Sequence, residues 1–180
     1  MKRSVDWRHY VEEIIYGGND GVVTTFAIIS SFVGAGQTTV SSITPTLVLV
    51  LGIASLFADG SSMGLGNFLS LRASSDLDKK SSEQSIKHTF VHGMFTFVSF
   101  VFFGFIPLLP YIFFIDSIYV FAYSVFFSLL AFSILGLIRN QITGRNLLKS
   151  IMENLIIGCV ASLIGFVFGY LLKNLVGQTH

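Results

Sequence analysis

Two carboxylates lie in stretches that are otherwise apolar enough for lipid. Asp20 sits in Tyr16-Gly-Gly-Asn-Asp-Gly-Val-Val-Thr-Thr25, and Asp59 in Phe57-Ala-Asp-Gly-Ser-Ser-Met-Gly-Leu-Gly-Asn-Phe68. An ionised carboxylate at bilayer depth costs on the order of 3 kcal/mol even on a lenient insertion scale, so such a residue faces a polar cavity or a partner. Two carboxylates can together neutralise a divalent cation or hold protons in its place, so that metal and proton would compete for the pair. Asp59, Met63 and Asn67 recur every four residues, which on a helix sets a carboxylate, a thioether and an amide along one face. A soft thioether beside hard oxygens suits a first-row transition metal such as ferrous iron better than calcium or magnesium. The alternative is structural: Asp59 at a wetted kink near Gly60, Asp20 capping a turn near Gly21, and Met63 and Asn67 serving in packing.

Other polar residues suggest less. His88 and His92 are four apart, a spacing that can bring two imidazoles to one metal, but they also fall where a helix emerges from a polar loop and read first as interfacial residues lining an entrance. Glu12 and Glu13 read as a solvated face or a cation-collecting rim at the same entrance. Glu153 and Asn154 read as interfacial. Cys159 is the single cysteine, so neither an intramolecular disulfide nor a thiolate metal site is available to it.

The elements that must position these residues follow from the charge gaps. Of 180 residues, 52% are hydrophobic and the mean hydropathy is +0.74, which excludes a soluble globule. With 11 Lys and Arg against 10 Asp and Glu there is no basic surface for nucleic acid. Uncharged stretches of the length that crosses a bilayer predict an all-α, polytopic membrane protein. It forms a single domain over 1–180 with five spans, near 13–36, 43–71, 89–114, 117–138 and 150–173. Continuous apolarity without alternation argues against barrel strands. The polar run Gln37–Ser42 turns the first two spans into a hairpin, and Asp20 and Asp59 each stand 16 residues from its edges at Gly36 and Ile43. That is roughly 24 Å along each helix, so the two carboxylates are expected at equal depth. Pro107 and Pro110 mark the end of the third span.

Ten of the eleven Lys and Arg fall before the first span, between the second and third, or between the fourth and fifth. Positive loops stay in the cytoplasm, which predicts a cytoplasmic amino terminus and a carboxyl terminus on the other side. No cleavable leader is expected, because the first thirteen residues carry Lys2, Arg3, Asp6, Arg8, Glu12 and Glu13 without an apolar core.

Asn19-Asp-Gly-Val-Val23 followed by Val33-Gly-Ala-Gly36 resembles the first span of the vacuolar iron transporter family. Ala54–Ser70, with Ser62-Met63-Gly64 and Gly66-Asn-Phe-Leu-Ser70, is similar to its second, and Ile106-Pro-Leu-Leu-Pro-Tyr111 to its third. The resemblance implies a homodimer that exports ferrous iron, and also manganese, from the cytosol in exchange for protons. It implies metal-pathway roles for Asp20 and Met63, with Asn19 in support. The cargo metal is expected to be transient, with no permanently bound cofactor. The partners expected are divalent metal ions, protons, membrane lipid and a second copy. Two departures stand out. Asn67 occupies a position where the family commonly has Glu, while Asp59 stands where many relatives have a small residue. The segment from Arg72 to His88 is also too short for the family's glutamate-rich cytoplasmic metal-binding domain.

The leading expectation is therefore a proton-coupled divalent metal exporter with Asp20 and Asp59 as metal and proton carriers, Met63 as soft ligand and Asn67 as neutral support. The competing one is a transport-inactive membrane scaffold or assembly subunit with the same fold. No nucleotide loop, hydrolase order or catalytic zinc signature points to an enzyme. A prokaryotic plasma membrane is the favoured location, with a vacuolar membrane as the alternative.

Overall fold

A computed structural model describes residues 10–36, 43–77, 83–115, 117–144 and 146–177. The polar turn expected at Gln37–Ser42 and most of the basic amino terminus lie outside these residues. Five long helices carry the fold: α1 (Val11–Gly34), α2 (Ile43–Leu77), α3 (Glu83–Phe105), α5 (Val120–Thr143) and α6 (Leu147–Gly177). Between α3 and α5 a 3₁₀ turn at Ile106–Leu108 leads into the short α4 (Leu109–Phe113). No strand occurs among the described residues. The all-helical expectation holds.

Among the described residues, four segments are long and apolar enough to cross a membrane: Pro45–Leu77, Ile86–Phe113, Val120–Ile142 and Leu147–Leu175. The chain is an integral membrane protein. Helix α1 is not among the four, although its 24 residues span about 36 Å, ample for the hydrocarbon core. It falls short in composition, because Glu12, Glu13, Asn19 and Asp20 share it with a set of glycines.

The packing explains how so polar a helix is accommodated. α1 runs through the middle of the bundle, against α3 on one side and α6 on another. Its small residues admit neighbouring backbones at close range. A Cβ at Gly17 would stand 2.5 Å from the Thr96 carbonyl oxygen of α3, and one at Gly21 would fall on that of Phe100. On the other side, α6 presents Gly165 and Gly169 to the Ala27 and Ser31 carbonyls. The steady offset of these contacts along the chain makes α1, α3 and α6 parallel to one another. Matching contacts of Gly64 with Gly93, and of Gly136 with Ile151, make α2–α3 and α5–α6 antiparallel hairpins.

Two apolar clusters fill the seams. Ile29, Val48, Leu56, Phe100 and Leu108 join α1, α2 and the third-span segment, while Val22, Phe103, Ala131, Phe132 and Leu135 join α1, α3 and α5. Prolines 107 and 110 interrupt the α-helical ladder where the sequence suggested an end, but the chain continues for two further turns instead of stopping. The Ser124 hydroxyl of α5 donates to the Pro107 carbonyl at 2.8 Å, satisfying an acceptor the interruption exposes. On the outside, α6 turns Leu163, Ile164, Phe168, Leu171 and Leu172 outward, as a lipid-facing surface would.

Candidate metal site

Because α1 packs mainly on α3 and α6 and meets α2 along a narrower seam, a cavity of about 780 Å³ opens beside it. Glu12, Glu13, Asn19 and Asp20 of α1 line it. Asn67 and Leu71 of α2, Arg139 of α5, and Asn154 and Ile157 of α6 complete the wall. These positions are the beginnings of α1 and α6 and the ends of α2 and α5, so the cavity belongs to one end of the bundle. It is the end that the positive-inside argument assigns to the cytoplasm.

Asp20 lines this cavity and is exposed within one chain. Asp59 is exposed as well, outside the cavity wall, and accepts a 2.8 Å hydrogen bond from the Ser55 hydroxyl one turn away. The two carboxylates are close enough for their charges to act on one another. They are therefore neighbours, but they are not buried by the chain itself.

The stripe expected at Asp59, Met63 and Asn67 divides into three environments. Met63 is half-buried against the apolar cluster that contains Leu56 and Phe100. The Asn67 side chain faces the cavity and donates through Nδ2 to Thr96 Oγ1 at 2.8 Å, which in turn donates to the His92 carbonyl at 3.1 Å. The physical reason is helical drift. At 3.6 residues per turn a spacing of four advances about 40° per step, so Asp59 and Asn67 differ by roughly 80° around the axis.

The two histidines differ in their surroundings. His92 Nδ1 pairs with Glu13 Oε1, in a contact whose side chains are 14% and 10% exposed. The His88 ring lies on His92 at a centroid distance of 4.6 Å, and Tyr10 stacks on Phe95 at 4.3 Å beside them. Among the described residues, no three His, Cys, Asp or Glu side chains gather as a metal site. The cavity wall offers amide oxygens of Asn19, Asn67 and Asn154 along with the carboxylates.

Asn154 overturns its interfacial reading, since it is 2% exposed and lies inside the bundle. Its Nδ2 has no hydrogen-bond partner, and neither do Glu13 Oε2 and Asn19 Oδ1. Glu153, one residue earlier, takes the outer position and accepts from Arg139 at 2.8 Å. Sequence reasoning missed Asn154 because the helices that enclose it come from distant parts of the chain. The one available signal was an amide at the head of the apolar stretch 154–172.

The sequence profile of the VIT family matches residues 11–89 and 78–170, two segments that overlap over 78–89. A vacuolar iron transporter of Plasmodium berghei is 27% identical over 95% of this chain and 85% of its own length. Vacuolar iron transporter 1 of Arabidopsis thaliana is 23% identical over 91% and 86%, and a vacuolar iron transporter of Toxoplasma gondii is 40% identical over 37% and 20%. The Plasmodium alignment runs to 238 positions, longer than the 180 residues of this chain, as expected if relatives carry an additional segment. With the family's profile matched over residues 11–170, the chain belongs to the VIT family.

Proposed function

We propose that this protein moves divalent metal ions across the membrane, ferrous iron first and manganese second, from the cytosol outward in exchange for protons. Asp20 and Asp59 carry the metal and the protons in turn. Met63 supplies a soft contact on the route, and Asn67 and Asn19 give neutral support. The names of the relatives support the cargo, and the basic loops support the direction.

The observation that carries the reading is Asp20, a carboxylate midway along a helix, on the wall of a polar cavity and within electrostatic reach of a second carboxylate. Such a pair attracts a divalent ion and can exchange it for protons. The working unit is a pair of copies. Asp59, Ser62 and Gly66 lie on an open face of α2, where a Cβ at Gly66 would meet nothing within 4 Å. A carboxylate turned to lipid there is costly, and a second copy against that face would shelter it.

Flux into sealed vesicles tests this. Ferrous iron or manganese should enter under an imposed pH difference and stop in the Asp20→Asn and Asp59→Asn variants. Undiminished flux in both variants would end this mechanism.

A second reading, a transport-inactive scaffold, draws on Met63 packed in the apolar cluster and Asn67 tied to Thr96. It predicts no flux from the purified protein, no stabilisation by metal and copurification with a constant partner.

A further inference from the structure

Three unsatisfied polar atoms belong to residues that line this one cavity. Glu13 and Asn154 are more than nine-tenths buried, at 8% and 2% exposure, and both line the cavity. Glu13 Oε2 and Asn154 Nδ2 have no partner, and the same holds for Asn19 Oδ1. A buried polar atom left without a hydrogen bond costs about 1–3 kcal/mol, so three lining one cavity call for an occupant.

The helix register brings them together. α6 runs parallel to α1, and the contacts of Gly165 with Ala27, Gly169 with Ser31 and Phe166 with Gly34 carry Asn154 to within one turn of Asn19. Glu13 lies six residues before Asn19 on the same helix, about 9 Å along the axis. Its other oxygen is held by His92, which leaves Oε2 as the oxygen open to a ligand. A half-turn of the Asn154 amide presents its oxygen in place of Nδ2.

The charge balance favours a cation. Glu12, Glu13 and Asp20 face the cavity against one Arg139, and that guanidinium is engaged by Glu153. With the Asn154 amide turned, all the ligand atoms are oxygen, and neither sulfur nor imidazole is among the residues that line the cavity. Hard, partly hydrated divalent ions suit such a set, and a cavity of about 780 Å³ leaves ample space for their waters.

We propose that Glu13 Oε2, Asn19 Oδ1 and the Asn154 amide form a loading site that holds a partly hydrated divalent cation within one chain, before it reaches Asp20. The proposal deepens the transport reading and rests on it for direction, but the binding itself does not depend on flux.

The test is manganous ion binding to the purified full chain in detergent, followed by electron paramagnetic resonance and by titration. It compares the parent, Asn154→Leu, Asn154→Asp and Asp20→Asn. Asn154→Leu should weaken one site at least tenfold, Asn154→Asp should retain or tighten it, and Asp20→Asn should leave it in place. In vesicles Asn154→Leu should raise KM at unchanged maximal flux. Unchanged binding in Asn154→Leu would overturn the loading site, as would a site lost with Asp20→Asn alone. If Asn154→Leu does not fold, weaker binding in the Asn154→Asp variant would overturn it instead. Flux that survives neutralisation of both carboxylates, with manganous binding still lost in Asn154→Leu, would refute the transport mechanism and leave the site standing.

Discussion

Replacing Gly17 with alanine probes the contact that holds the polar helix in the bundle. The new Cβ would stand 2.5 Å from the Thr96 carbonyl oxygen, whereas ordinary contact begins near 3.4 Å. The obstacle is backbone on both sides, so no side-chain rotation relieves it, and α1 must retreat from α3 by nearly an ångström. Overpacking of this kind costs about 1–3 kcal/mol, and a backbone obstacle belongs in the upper half of that range. Alanine returns up to about 1 kcal/mol through its better helix propensity, which leaves a net loss of about 1–2 kcal/mol. For a chain of this size that lowers the melting temperature by roughly 2–8 °C. Far-UV circular dichroism in detergent measures it, with helical content at low temperature as the check that the variant folds. A melting temperature at or above the parent's would show that α1 and α3 do not pack backbone to backbone. Gly21→Ala should lose more, because its Cβ would fall still closer to the Phe100 carbonyl.

Two further outcomes follow from contacts already described. His92 and Glu13 pair in a largely buried setting, so His92→Ala and Glu13→Ala should each destabilise the fold while the double variant loses less than their sum. A double-mutant cycle of thermal or denaturant unfolding reads this, and strict additivity would deny the pair. Gly66→Leu adds a side chain where one chain has only open space, so on the proposed pairing across this face monomer stability should hold while paired copies separate. Light scattering in detergent and cross-linking in vesicles report the pairing. An unchanged dimer would move the interface elsewhere.

How much of this was legible in the sequence depends on range. The membrane helices could be read because the absence of charge over a bilayer's length is a local property, whereas Pro107 and Pro110 suggested an end where the chain continues helically to Phe113. α1 was harder. Its carboxylates and glycines make a poor span in isolation, and only the carbonyls of Thr96 and Phe100 show what the glycines are for. The depth match of Asp20 and Asp59 used counting alone, and the two do lie within reach of each other's charge. The four-residue stripe failed because counting ignores rotation about the axis and what α3 presents there. Asn154 was invisible for a related reason, since its burial depends on helices contributed by distant parts of the chain.

The central place of α1 bears on how the molecule is assembled. A segment with Glu12, Glu13, Asn19 and Asp20 gains little from lipid when alone, and the surfaces that accept its glycines belong to α3 and α6, which are synthesised afterwards. Secure insertion of the first helix must therefore await the third, with the last helix closing the other side. Nascent chains halted before residue 83 should remain extractable by alkali, whereas those that include α3 should resist it.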